Sequence, residues 1–121
     1  MIIDAHTHGI HAQYLDKLAD IGGDWAKKTL SHWFGRMQNL KPHSVDVPLR
    51  IEQLDRNNIS LQVVTPFGWM DGNNLPADLP TKLAYARVTN DGMAKFAEES
   101  KGRLVCGGSI PLEGLDRKSV V

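Results

Sequence analysis

His6 and His8 are the residues of this chain best suited to chemistry: two imidazoles, two positions apart, in Ile2-Ile3-Asp4-Ala5-His6-Thr7-His8. Side chains at i and i+2 of a strand leave from one face, so both rings can converge on one point, and Asp4 falls on that face as well. Two neutral imidazoles at this spacing suit Zn2+ or another borderline divalent cation. The plainer reading is a pair of solvated loop histidines, because a bare His-x-His is common. Three more histidines are present. His11 reads as a solvated residue at a helix start, close enough in sequence to approach the pair. His32 and His43 fall in an irregular stretch where no strand end aims them, and neither is expected to be a ligand. Cys106, the single cysteine, lies in Leu104-Val105-Cys106-Gly107 and reads as a buried inert thiol, not a nucleophile. Asn90-Asp91 reads as capping or surface polarity.

The elements that must position these groups follow from periodicity and punctuation. Ile2 to Ala5 is a short β-prone segment. Residues 12–21 place Tyr14, Leu15, Leu18 and Ile21 at helical spacing, and Gly22-Gly23 predicts a stop. Residues 24–46 mix Trp25, Leu30, Trp33 and Phe34 with polar residues and read as an excursion with one short helix. A second helix is predicted over about 48–57, capped at Asp46 or Val47 with Pro48 in its first turn. Residues 60–66 read as a strand closed by Pro66, 67–80 as a long loop, 81–100 as the strongest helix, and 103–110 as a third strand ended by Pro111. Gly92 inside the long helix costs about 1 kcal/mol relative to alanine, which points to close packing there. The alternation of strands and helices predicts βαβ units, a parallel sheet and an α/β fold. Because the strands are short apolar runs, both sheet faces are expected to be covered. Histidines at the C-terminal end of a parallel strand stand where α/β barrels keep their active sites.

With its elements in this order, the sequence resembles the amidohydrolase superfamily, in the branch typified by aminocarboxymuconate-semialdehyde decarboxylase. The residues that carry the likeness are Ile2 to His8, Arg50-Ile51-Glu52-Gln53-Leu54-Asp55, Asn58 to Pro66, Ala86 to Gly92 and Gly107-Gly108-Ser109-Ile110-Pro111-Leu112, colinear up to Leu115. The resemblance implies a (β/α)8 TIM barrel, of which these residues would form about the first three βα units. It also implies a divalent metal, zinc by preference, at the C-terminal mouth. The family's first two metal-ligand histidines map onto His6 and His8, and its substrate-carboxylate arginine maps onto Arg50. A planar guanidinium suits bidentate carboxylate binding. Without the likeness, Arg50 would read as an exposed helix arginine paired with Glu52, Asp46 or Asp55. Trp69, in the loop after the second strand, is a candidate pocket wall, with ordinary loop packing as the plainer reading. The reaction implied is non-oxidative decarboxylation of a small carboxylic acid with a metal-bound water, whose pKa falls toward about 7. Two alternatives are a metal-dependent hydrolase of the same superfamily and a non-catalytic metal- or partner-binding fragment. The family's remaining catalytic groups come from later strands, so no catalytic residue is expected within these residues.

Composition narrows the partners. Fourteen basic and 14 acidic side chains give zero net charge, which removes the electrostatic case for nucleic acid or an anionic membrane. No apolar run approaches the roughly 20 residues of a membrane helix. The start Met1-Ile2-Ile3-Asp4 lacks the pattern of a signal peptide. A cytoplasmic protein acting on a small-molecule carboxylate is expected, with a homodimer as the parent assembly.

The chain of 121 residues is one domain in length, while the resemblance implies about three of eight barrel units in content. Residues 1–115 are read as the N-terminal part of the barrel domain. The tail Asp116-Arg117-Lys118-Ser119-Val120-Val121 fits no element. It translates GAT CGG AAG AGC GTC GTG, the start of a common short-read sequencing adapter, so residues 116–121 are expected to be non-native. Other codons in the genomic record would sink that expectation. With open sheet edges, the 121 residues alone are expected to fold poorly or aggregate. A cooperative, monomeric, two-state unfolding transition would refute this.

Overall fold

The computed structural model describes residues 1–70 and 72–112, with 34–40 and 69 described in their backbone alone. The predicted tail at 116–121, and Leu115 before it, lie outside the described residues. Strands β1 (Ile3–His8), β2 (Leu61–Thr65) and β3 (Leu104–Cys106) alternate with helices α1 (Leu15–Leu40), α2 (Val47–Arg56) and α3 (Leu79–Glu99). The three strands form one parallel sheet in the order β1-β2-β3, the arrangement expected of consecutive crossover units. The α/β class is therefore correct in its coarse form. No helix among the described residues is long and apolar enough to cross a membrane.

Local chemistry explains most boundaries. Asp46 caps α2 by accepting from Leu49 N at 2.9 Å, with Pro48 in the first turn, as the sequence predicts. Asp78 does the same for α3 through Thr81 N at 3.0 Å. Gly92 packs closely: a Cβ there would stand 3.2 Å from Tyr14 Cγ and 3.3 Å from Ile10 Cγ1.

Two expectations need correction. The first helix does not stop at Gly22-Gly23. Gly23 breaks the helical path at φ 61°, ψ −149°, but the chain re-enters a helix and runs to Leu40, so most of the expected excursion is helical. That backbone region is essentially reserved for glycine. Gly23→Ala is expected to destabilise the fold by about 1–3 kcal/mol, although a Cβ would meet nothing within 4 Å. Gly68→Ala, equally uncrowded and without a positive φ, should leave the denaturation midpoint nearly unmoved. Equal shifts for the two would refute the conformational argument.

The second correction concerns the sheet. Its helix-covered face carries Gln62, Val64 and Leu104 over a core that includes Ile10, Leu18, Leu54, Tyr85, Met93 and Phe96. The opposite face leaves Ile3 52% and Val105 51% exposed. Only one face is covered among the described residues, contrary to the expectation of two. β3 is also shorter than predicted. Past Cys106, Gly107 N donates once more to Val64 O at 2.8 Å. The Asn90 side chain then takes over, giving its amide N–H to Ser109 O at 2.8 Å and accepting from Ser109 N at 2.7 Å. Asn90 therefore joins α3 to the segment after β3, a role beyond the capping or surface polarity expected of it.

Candidate metal centre

The C-terminal end of β1 carries the two imidazoles. Their ring centroids are 5.1 Å apart in an edge-to-face arrangement. His6 and His8 both stay exposed, on a strand whose pairing with β2 slips by one residue between Asp4 and Thr7. That slip is a β-bulge, and it re-aims the side chains on either side. Asp4 pairs in register with buried Gln62 and accepts from its Nε2 at 2.9 Å. Strict alternation would have put Asp4 beside the histidines. The extra residue instead commits it to the helix-covered side, which corrects the expected shared face. Among the described residues no group of three His, Cys, Asp or Glu side chains is placed to hold a metal.

The His8 ring is fixed by its neighbours. Its Nδ1 lies 3.2 Å from Pro66 O and 3.1 Å from Thr65 Oγ1. A carbonyl can only accept, so Nδ1 carries the proton in this contact, and the neutral tautomer with that proton has its lone pair on Nε2. A carbonyl or hydroxyl on the far nitrogen selects the tautomer in histidines that bind metals. Phe67 stacks on the ring with centroids 5.4 Å apart and planes 28° apart. Thr65 Oγ1 also donates to Thr7 O at 3.2 Å, so the ends of β1 and β2 and the Pro66 carbonyl hold the imidazole together.

Arg50 is neither the exposed ion-paired arginine nor a guanidinium free for a bidentate carboxylate. It is 2% exposed. Its Nε donates to His43 O at 3.0 Å, one terminal nitrogen to Gln62 Oε1 at 2.8 Å and Thr7 Oγ1 at 3.2 Å, and the other to His8 O at 2.7 Å. Four of its five N–H donors are thus engaged within the protein. The acidic residues named as partners are elsewhere: Glu52 bonds Arg56, Asp55 bonds Arg103, and Asp46 caps α2. Burial lowers the Arg50 pKa to about 10, against the attraction of Cys106 and Asp4, and the group stays charged at neutral pH.

The other candidates separate clearly. His43 is not aimed away. It lines one cleft of about 280 Å³ with His6, His8, Lys41, Arg50 and Phe67. Burial, with the nearby Arg50 and Lys41 charges, lowers its pKa and keeps the ring neutral at pH 7. Sequence reasoning missed Lys41, Phe67 and the convergence of His43, because no local pattern links residue 43 to residue 8. His11 starts the turn Ala12–Tyr14, accepting from Gln13 N at 3.3 Å, but it is not solvated: it is 8% exposed and bonds Glu99 at 2.9 Å. His32 packs edge-on against Trp33. The Trp69 side chain lies outside the described residues.

Cys106 is half-buried, and burial raises its thiol to about 11. Only about one molecule in a thousand would be thiolate at pH 8. Iodoacetamide labelling of the native protein at pH 8 is therefore expected to run at least tenfold slower than in urea. Equal rates would refute the inert assignment.

No protein-family model matches the chain, and no curated protein matches it.

Proposed function

We propose that these residues form three βα units of a (β/α)8 barrel of the amidohydrolase-related type, and that the protein is a cytoplasmic, zinc-dependent carboxy-lyase acting on a small carboxylic acid. The observation that carries this reading is the His6–His8 pair at the C-terminal end of a parallel strand, with the His8 Nδ1 proton held on Pro66 O and Nε2 left free. The uncovered apolar sheet face supports the barrel, because in a closed barrel that face is the packed interior. His6 and His8 fit as two ligands of a zinc ion. A catalytic zinc takes three protein ligands, so at least one more must come from other strands of the barrel. When bound, the ion supplies Lewis acidity toward a substrate oxygen. Arg50 fixes the His8 carbonyl, Thr65 and Pro66 hold the Nδ1 proton, and Phe67 restricts the ring.

The test is metal removal from the protein as it is made in the cell, followed by assay on a panel of small carboxylic acids. CO2 release should vanish on chelation and return with Zn2+. Chelator-insensitive turnover would overturn the metal role. Metal-dependent cleavage of esters or amides without CO2 would replace the lyase by a hydrolase.

A further inference from the structure

We propose that Lys41 and His43 are the anion-recognising side of the His6–His8 cleft, and that a small carboxylate is held by them rather than by Arg50. This rests on the proposed function in treating that carboxylate as the substrate. The cleft of about 280 Å³ is near the lower size of small-molecule sites, and its lining includes no Asp or Glu among the described residues. A carboxylate entering it meets basic and neutral groups alone. Arg50 has four N–H donors committed to His43 O, Thr7, Gln62 and His8 O, which leaves one and excludes a two-point clamp.

Lys41 is exposed at the cleft and has no acidic partner among the described residues, so its ammonium is available at no loss of an existing ion pair. His43 contributes its backbone carbonyl to Arg50, and none of the described hydrogen bonds uses its ring. The ring therefore retains an N–H for a ligand oxygen, while its backbone is anchored by the buried guanidinium. A charged and a neutral donor lining the same cleft as the two imidazoles would hold a carboxylate beside the proposed metal position.

The test is titration of the protein, as it is made in the cell, with benzoate, with and without Zn2+, followed by amide chemical shifts in wild type, Lys41→Met, His43→Gln and the double variant. Benzamide, neutral and of the same shape, is the control. Each single variant should weaken benzoate binding by about tenfold, the effect of one hydrogen bond to a charged group. Benzamide binding and zinc affinity should stay within about twofold. Neither substitution removes a described hydrogen bond, since the His43 carbonyl persists. Lys41→Arg should keep most of the affinity. Benzoate binding that is absent in wild type, or equal in the double variant, overturns the inference. Benzoate binding that still depends on Lys41 and His43 when His6→Ala leaves zinc binding unchanged supports the subsite and instead overturns the metal centre.

Discussion

Arg50→Met is expected to destabilise the fold by about 3–5 kcal/mol, far beyond the typical surface substitution. Methionine fills much of the arginine volume, so the loss comes from polarity rather than from a cavity. The substitution strands three acceptors at once: the carbonyls of His8 and His43 and the Gln62 amide oxygen. Each unsatisfied buried group costs about 1–3 kcal/mol, and water entering from the adjacent cleft recovers part of that. Arg50→Lys should recover little, because one ammonium cannot span acceptors that lie on β1, β2 and the Pro42–Ser44 turn. The control is Arg56→Met, which removes an exposed i,i+4 pair with Glu52 and should cost under about 0.5 kcal/mol. Denaturant midpoints check the series, with native-state proteolysis where the transition is too shallow to fit. A loss below 1 kcal/mol for Arg50→Met would mean that the guanidinium is dispensable to the fold and free for another role.

Arg50 also marks where reading a sequence stops working. Its residue type and its place on α2 are legible, but its four acceptors belong to residues 7, 8, 43 and 62, which only tertiary packing brings together. The helix around it was predictable from Asp46 and Pro48 because caps act within one turn. The tight approach at Gly92 was legible for a similar reason: a glycine in a strong helix needs an external cause, here Tyr14 and Ile10. Gly23 was legible as a break but not as a hinge between two helical segments, since the same left-handed φ can end a helix or redirect it. The β1 bulge was hidden altogether. An inserted residue leaves no mark in composition, and six residues of mixed polarity are too few to show the break in alternation, yet it moves Asp4 away from the histidines and toward Gln62.

The second large effect belongs to His8. On the proposed metal centre, His8→Ala is expected to lower Zn2+ affinity at least 100-fold, and His6→Ala similarly, because either change would leave a single strand imidazole for the ion. The more discriminating variant is Thr65→Val. It keeps the Pro66 carbonyl but removes the hydroxyl 3.1 Å from Nδ1 and its bond to Thr7 O. Loss of such an outer contact typically costs about 10- to 100-fold in metal affinity. Because Pro66 O still selects the tautomer, the low end, about tenfold, is expected here. His32→Ala, remote beside Trp33, should leave affinity unchanged. Competition against a chromophoric chelator at fixed pH measures all four, and the fixed pH matters because a ligating imidazole must release its proton before it binds. If Thr65→Val matched wild type while His8→Ala abolished binding, the ring would be positioned by Pro66 and Phe67 alone. If His8→Ala bound zinc as wild type does, the strand-end pair would not be a metal centre, and the proposed lyase would lose the residues on which it stands.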